Sequence, residues 1–118
     1  MFINFTNHPS EKWSKDQLAA AQQYGEIVDM PFPSIDPSAS RDNVLTMATD
    51  YAQRIAAMSP NAVLCQGEFT FVFAVVIELK KIGVRVFAAC SERCIREYVE
   101  DGISKKVAEF KFVRFREY

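Results

Sequence analysis

Ala62-Val63-Leu64-Cys65-Gln66-Gly67-Glu68 decides how this chain folds. Four apolar residues without alternation match a strand covered on both faces, as parallel strands are when helices flank the sheet. The polar Gln-Gly-Glu corner then turns the chain into Phe69 to Ile82, a helix-length segment that is apolar almost all round until Lys80-Lys81. The same unit recurs on either side. Phe2-Ile3-Asn4-Phe5 runs into Thr6-Asn7-His8-Pro9-Ser10, Glu26-Ile27-Val28-Asp29-Met30 into Pro31-Phe32-Pro33, and Val84-Arg85-Val86-Phe87-Ala88-Ala89 into Cys90-Ser91-Glu92-Arg93.

The segments between these strands read as helices. Ser14 and Gln17 carry the pattern of a capping box ahead of an alanine-rich stretch that Gly25 ends. From Arg41 to Met58, Val44, Leu45, Ala48, Tyr51, Ala52 and Ile55 recur at helical intervals, and Ser59-Pro60-Asn61 stops the run. After Arg93 the pattern changes. Asp101-Gly102 between two strand-like runs is a strong hairpin signal, and Phe110, Phe112 and Phe115 are expected to face the core if one bulge intervenes. The order β-α-β-α-β-α-β plus a hairpin predicts an α/β fold: a three-layer Rossmann-like sandwich with a mainly parallel sheet and a C-terminal β-hairpin, one domain over residues 1–118.

Composition narrows the function. About half the chain is apolar, a quarter is charged and the formal net charge is −1, which argues against a binder of duplex nucleic acid. Three cysteines, Cys65, Cys90 and Cys94, with no Cys-x-x-Cys pair and a single histidine, predict reduced thiols, no metal site and a cytoplasmic setting. No signal peptide is expected. The longest apolar stretch, Phe69 to Leu79, is too short to span a bilayer, so no membrane is expected either. No cofactor motif is present, since Gly67 stands alone without a G-x-G-x-x-G.

In an open α/β sheet the carboxyl ends of the strands hold the ligand. His8 there would act as a general acid or base, or equally as a turn residue. Asn7 and Ser10 share its loop. Gly67 would let a ligand approach the backbone, Gln66 would read a base edge and Glu68 a ribose hydroxyl; the plainer reading makes Glu68 a partner of the helix dipole. Ser91 and Arg93 would hold a phosphate. Cys90 to Arg96 fits the Cys-x5-Arg spacing of phosphotyrosine phosphatases, but without an intervening glycine to open an amide cradle and with Glu92 inside it. Trp13 reads as a packing residue.

The Asn-x-x-Asn-His-Pro opening at Asn4 to Pro9, with Gln66-Gly67-Glu68 and Cys90-Ser91-Glu92-Arg93, resembles small stand-alone proteins of the CRISPR-associated Rossmann-fold (CARF) type. The resemblance implies a homodimer whose strand ends form one pocket for a cyclic oligoadenylate or other small nucleotide. It further implies metal-independent ring-nuclease activity, in which a ribose 2′-hydroxyl attacks the adjacent phosphate. Carried over, His8 and Arg93 would be catalytic, and Asn7, Ser10, Gln66, Gly67, Glu68 and Ser91 would bind ligand. The slightly acidic balance, and the expected absence of lysine from the strand-end loops after strands one, three and four, depart from that pattern. The alternatives are a non-catalytic nucleotide-binding or regulatory module, and a small enzyme with Cys90 or Cys94 as nucleophile.

Overall fold

The computed structural model describes residues 1–118. Strands β1 (Phe2–Phe5), β2 (Ile27–Asp29), β3 (Ala62–Cys65) and β4 (Val86–Glu100) run parallel in the order β2-β1-β3-β4, and β5 (Ile103–Glu117) pairs antiparallel with β4 at the edge. Helix α1 (Lys15–Gln22) follows β1, α2 (Arg41–Ala57) connects β2 to β3, and α3 (Phe69–Lys81) connects β3 to β4. This is the expected α/β Rossmann-like sandwich with a C-terminal hairpin.

The central strands β1 and β3 are buried at every position, which is why they carry no polar alternation apart from Asn4. Successive side chains feed opposite faces. Ile3, Phe5, Val63, Cys65 and Val86 pack against α2 and α3. Phe2, Ala62, Leu64 and Phe87 join Trp13, Leu18 and Phe115 on the α1 side. No helix is long and apolar enough to cross a membrane.

Side chains cap the helices. Ser14 Oγ accepts from the Gln17 N–H, as the sequence leads one to expect, and Ser40 Oγ accepts from the Asn43 N–H. At α3 the cap is Glu68, whose carboxylate accepts from the N–H groups of Thr70 at 3.1 Å and Phe71 at 2.8 Å. Those bonds, Phe71 first, hold the Glu68 carboxyl below the ordinary value near 4.5. A carboxyl depressed by folding stabilises the fold above its unfolded pKa, and that contribution disappears as pH falls through the folded value. Glu68→Gln is expected to melt below wild type at neutral pH and to converge with it in acid, as thermal scans across that range will measure. Parallel curves at all pH values would remove the cap from this account.

The hairpin differs from expectation. The fourth strand does not stop at Ala89, and Cys90-Ser91-Glu92-Arg93 is no strand-end loop. β4 continues for eleven residues beyond Ala89 to Glu100, paired throughout with β5, so that Ser91 faces Phe112, Glu92 faces Lys111 and Arg93 faces Phe110. Asp101 and Gly102, with φ of +52° and +74°, form the two-residue turn, whose backbone twist matches the strands it joins. The register shifts at Cys90/Ser91, leaving Val113 as the extra residue of a bulge. That bulge puts Phe110, Phe112 and Phe115 on one face, as expected, but only Phe115 reaches the core. Phe112 packs against Phe115 with the rings tilted and their centroids 4.9 Å apart, and Phe110 is left 71% exposed on the projecting hairpin.

Candidate functional site

From β1 the chain crosses to α1 on one face of the sheet; from β3 it crosses to α3 on the other. Adjacent strands whose connections leave in opposite directions open a crevice at their carboxyl ends. β1 and β3 are such a pair here, with Phe5 in register with Cys65. A cleft of about 710 Å³ lies at that end, within the range of small-ligand sites. Its walls are Thr6, Asn7 and His8 after β1, Gln66 and Gly67 after β3, and Ser91 on β4.

A buried asparagine fixes the His8 loop. Asn4, only 1% exposed, donates from Nδ2 to the His8 carbonyl at 2.9 Å and to Asp29 Oδ1 at 2.8 Å, and its Oδ1 accepts from the Thr6 hydroxyl at 2.8 Å. The His8 carbonyl also accepts from Trp13 Nε1 at 3.1 Å and Thr6 Oγ1 at 3.2 Å. Two N–H donors, from Asn4 and Trp13, therefore hold the His8 carbonyl, and the single Thr6 hydroxyl proton is shared between it and Asn4 Oδ1. Thr6 Oγ1 accepts from the His8 N–H at 3.1 Å, while the exposed imidazole makes no hydrogen bond within the chain. Ser10 is engaged elsewhere. Its N–H and hydroxyl both donate to the Asp29 carboxylate, and it does not line the cleft.

The Gln66-Gly67-Glu68 corner divides three ways. Gln66 Oε1 accepts from the Ala89 N–H at 2.9 Å, the first β4 donor beyond the reach of β3. Its side chain thereby extends the ladder by one rung, and its Nε2 group remains free at the cleft. Gly67 lines the cleft, but what excludes a side chain there is Phe32. A Cβ on Gly67 would stand 2.3 Å from the tip of that ring. Glu68 caps α3 and faces a smaller hollow beside Phe32 and Asn7, which matches the plainer of its two readings.

Arg93 lies outside the cleft wall, on the same face of β4 as Ser91 and about 7 Å farther along the strand. The cation that does line the cleft is Lys12, from the short 3-10 turn Ser10–Lys12. The expectation of a strand-end region without lysine is corrected accordingly. That turn also delivers Trp13, which packs edge-on against Phe2 at 6.3 Å as anticipated and still presents an edge to the cleft. Phe110 and Phe112 close the far wall. The expectation that both face the core is corrected: they line the cleft, and their spacing from the Asp-Gly turn is the signal that marks it.

A family model described as the uncharacterized protein MJ1673 family matches residues 1–116. The chain belongs to that family. No curated protein and no solved structure matches it.

In this MJ1673-family chain the cysteines sit apart from the cleft. Cys65 is fully buried, and burial pushes its thiol up to about 12, far from thiolate reactivity. Cys90 is half-buried and Cys94 is exposed on the hairpin. Cys90 and Arg96, whose spacing fits a phosphatase loop, stand on one extended strand about 20 Å apart. They form no anion cradle.

Proposed function

We propose that this chain binds a small nucleotide in the β1/β3 cleft, with a cyclic oligoadenylate as the ligand the resemblance suggests. One observation carries the reading: the sole imidazole, the Gln66-Gly67 corner, Ser91 and Lys12 converge on one crevice at the carboxyl ends of the two central strands. Their chemistry suits such a ligand. Phe110, Phe112 and the Trp13 edge offer apolar surface to a base, Gln66 Nε2 and Asn7 offer hydrogen bonds to its edge, and Lys12 offers charge to a phosphate. Cleavage is the finer proposal. A ribose 2′-hydroxyl would attack the adjacent phosphorus and lose its proton to water. The bond from phosphorus to the 5′-oxygen would break, and His8 would hand a proton to that departing oxygen, leaving a 2′,3′-cyclic phosphate. The absence of a guanidinium from the cleft wall favours binding over fast cleavage.

Calorimetry with cyclic tetra-adenylate and cyclic hexa-adenylate tests the binding. Lys12→Ala is expected to weaken affinity about tenfold, the worth of one charged hydrogen bond, and Arg93→Ala much less. An absence of heat with every adenylate would remove the nucleotide reading. Loss in Arg93→Ala with Lys12→Ala unchanged would relocate the phosphate to the hairpin. Product analysis with His8→Ala then addresses cleavage, which is expected to stop while binding persists.

A further inference from the structure

The β4–β5 ribbon leaves the cleft along its far wall. Strand pairing sets Ser91 opposite Phe112 and Arg93 opposite Phe110, and Ser91, Phe110 and Phe112 all face the cleft. Each of these two rungs joins an aromatic ring to a group that can bind phosphate. The second rung lies about 7 Å beyond the first, the advance of two strand residues. One extended sugar-phosphate unit covers a like distance. Phe110 is largely exposed, so its ring has surface left for a base beyond the one in the cleft.

Arg93 is the one cation at liberty on that face. Of the five cations on the ribbon from Ser91 to Phe112, three are paired: Arg96 with Glu109 at 3.2 Å, Lys105 with Glu100 at 3.2 Å and Lys106 with Glu97 at 3.3 Å. Lys111 sits across from Glu92 on the opposite face, and Glu109 projects there too. No carboxylate on an adjoining rung of its own face therefore competes for the Arg93 guanidinium. Past Arg93 the same face carries Ile95 with Ala108, then the Glu97–Lys106 pair, whose ammonium is already neutralised. A further phosphate finds no free cation there.

We propose that the cleft and these two rungs together hold a linear oligoadenylate, one nucleotide in the cleft and the next with its base on Phe110 and its phosphate at Arg93. Stacking on an aromatic ring and a charged hydrogen bond to phosphate are the usual means of holding a single strand. A cyclic ligand bends its backbone away from a straight ribbon, so Arg93 serves open chains and matters little to rings. The track rests on the nucleotide reading of the cleft and adds open chains to the ligands it takes.

Calorimetry of the full chain with adenosine 5′-monophosphate and its linear 5′-phosphorylated dimer and trimer tests it. The dimer is expected to bind about tenfold tighter than the monophosphate, the worth of one stacked base and one phosphate contact at an exposed site. The trimer should add no more than about twofold, because the track ends at the second rung. Arg93 is exposed, so Arg93→Ala should fold as wild type does by circular dichroism. It is expected to leave the monophosphate unchanged and to cut the dimer's advantage to about threefold or less. A dimer no tighter than the monophosphate, or an advantage that survives Arg93→Ala intact, would overturn the track and leave the cleft reading standing. A trimer about tenfold tighter than the dimer would overturn its two-rung length. Silence from all three ligands would overturn the track and the cleft reading together.

Discussion

Asn4→Ala is expected to lower stability by about 2–4 kcal/mol, a large share of the 5–15 kcal/mol typical of a domain. The substitution removes three side-chain hydrogen bonds at a buried position, one of them to the Asp29 carboxylate. The His8 carbonyl keeps Trp13 Nε1 and Thr6 Oγ1 as donors, so the loop should loosen rather than unfold. Nucleotide affinity should fall at temperatures where the variant remains native. Asn4→Asp sharpens the test. It is nearly isosteric, yet sets a buried carboxylate within hydrogen-bond distance of Asp29. Burial and the neighbouring charge raise the folded pKa of the new group, so its ionised form opposes folding. The deficit is therefore greatest at neutral pH and shrinks as pH falls through the raised value toward about 4. Urea midpoints at several pH values measure this. A pH-independent deficit would mean that residue 4 and Asp29 do not interact.

How much of this was legible in the sequence depended on whether the cause was local. The strands Phe2–Phe5 and Ala62–Cys65 and the three helices follow from apolar pattern and capping residues, each a property of a short window. The long fourth strand does not. Cys90-Ser91-Glu92-Arg93 has neither alternation nor β-branched residues; it is extended because β5 pairs with it. Counting outward from the two-residue Asp101-Gly102 turn would have found this, since such a turn sets Glu100 opposite Ile103 and, seven pairs later, Arg93 opposite Phe110.

The cleft was legible as a location more than as a roster. His8, Gln66, Gly67 and Ser91 meet because strand ends meet. Lys12 and the two hairpin aromatics arrive from outside the strand-end clusters, on a 3-10 turn and on the antiparallel strand. Conversely, Ser10 and Glu68 have the right chemistry in the right loops, but Asp29 and the first turn of α3 hold their polar atoms. Competition for a polar side chain by the protein's own backbone and carboxylates cannot be read from composition.

Gly67 separates ligand access from packing in a measurable way. Were the glycine there only to admit a ligand, Gly67→Ala would leave stability alone and weaken binding. The structure gives a different expectation. The new methyl group would lie 2.3 to 2.8 Å from three atoms of the Phe32 ring. That ring cannot simply swing aside, because Phe5 holds it at 5.1 Å and Phe71 meets it edge-on at 5.3 Å. Overpacking of this kind costs about 1–3 kcal/mol, and Gly67→Ala is expected to fall in that range by chemical denaturation. Phe32→Leu alone is also destabilising, since it removes aromatic contacts. In the double variant the shorter side chain makes room for the methyl group, so the two costs should sum to more than the double variant shows, with a coupling of about 1 kcal/mol. Strict additivity would detach Gly67 from Phe32 and return the glycine to the ligand alone.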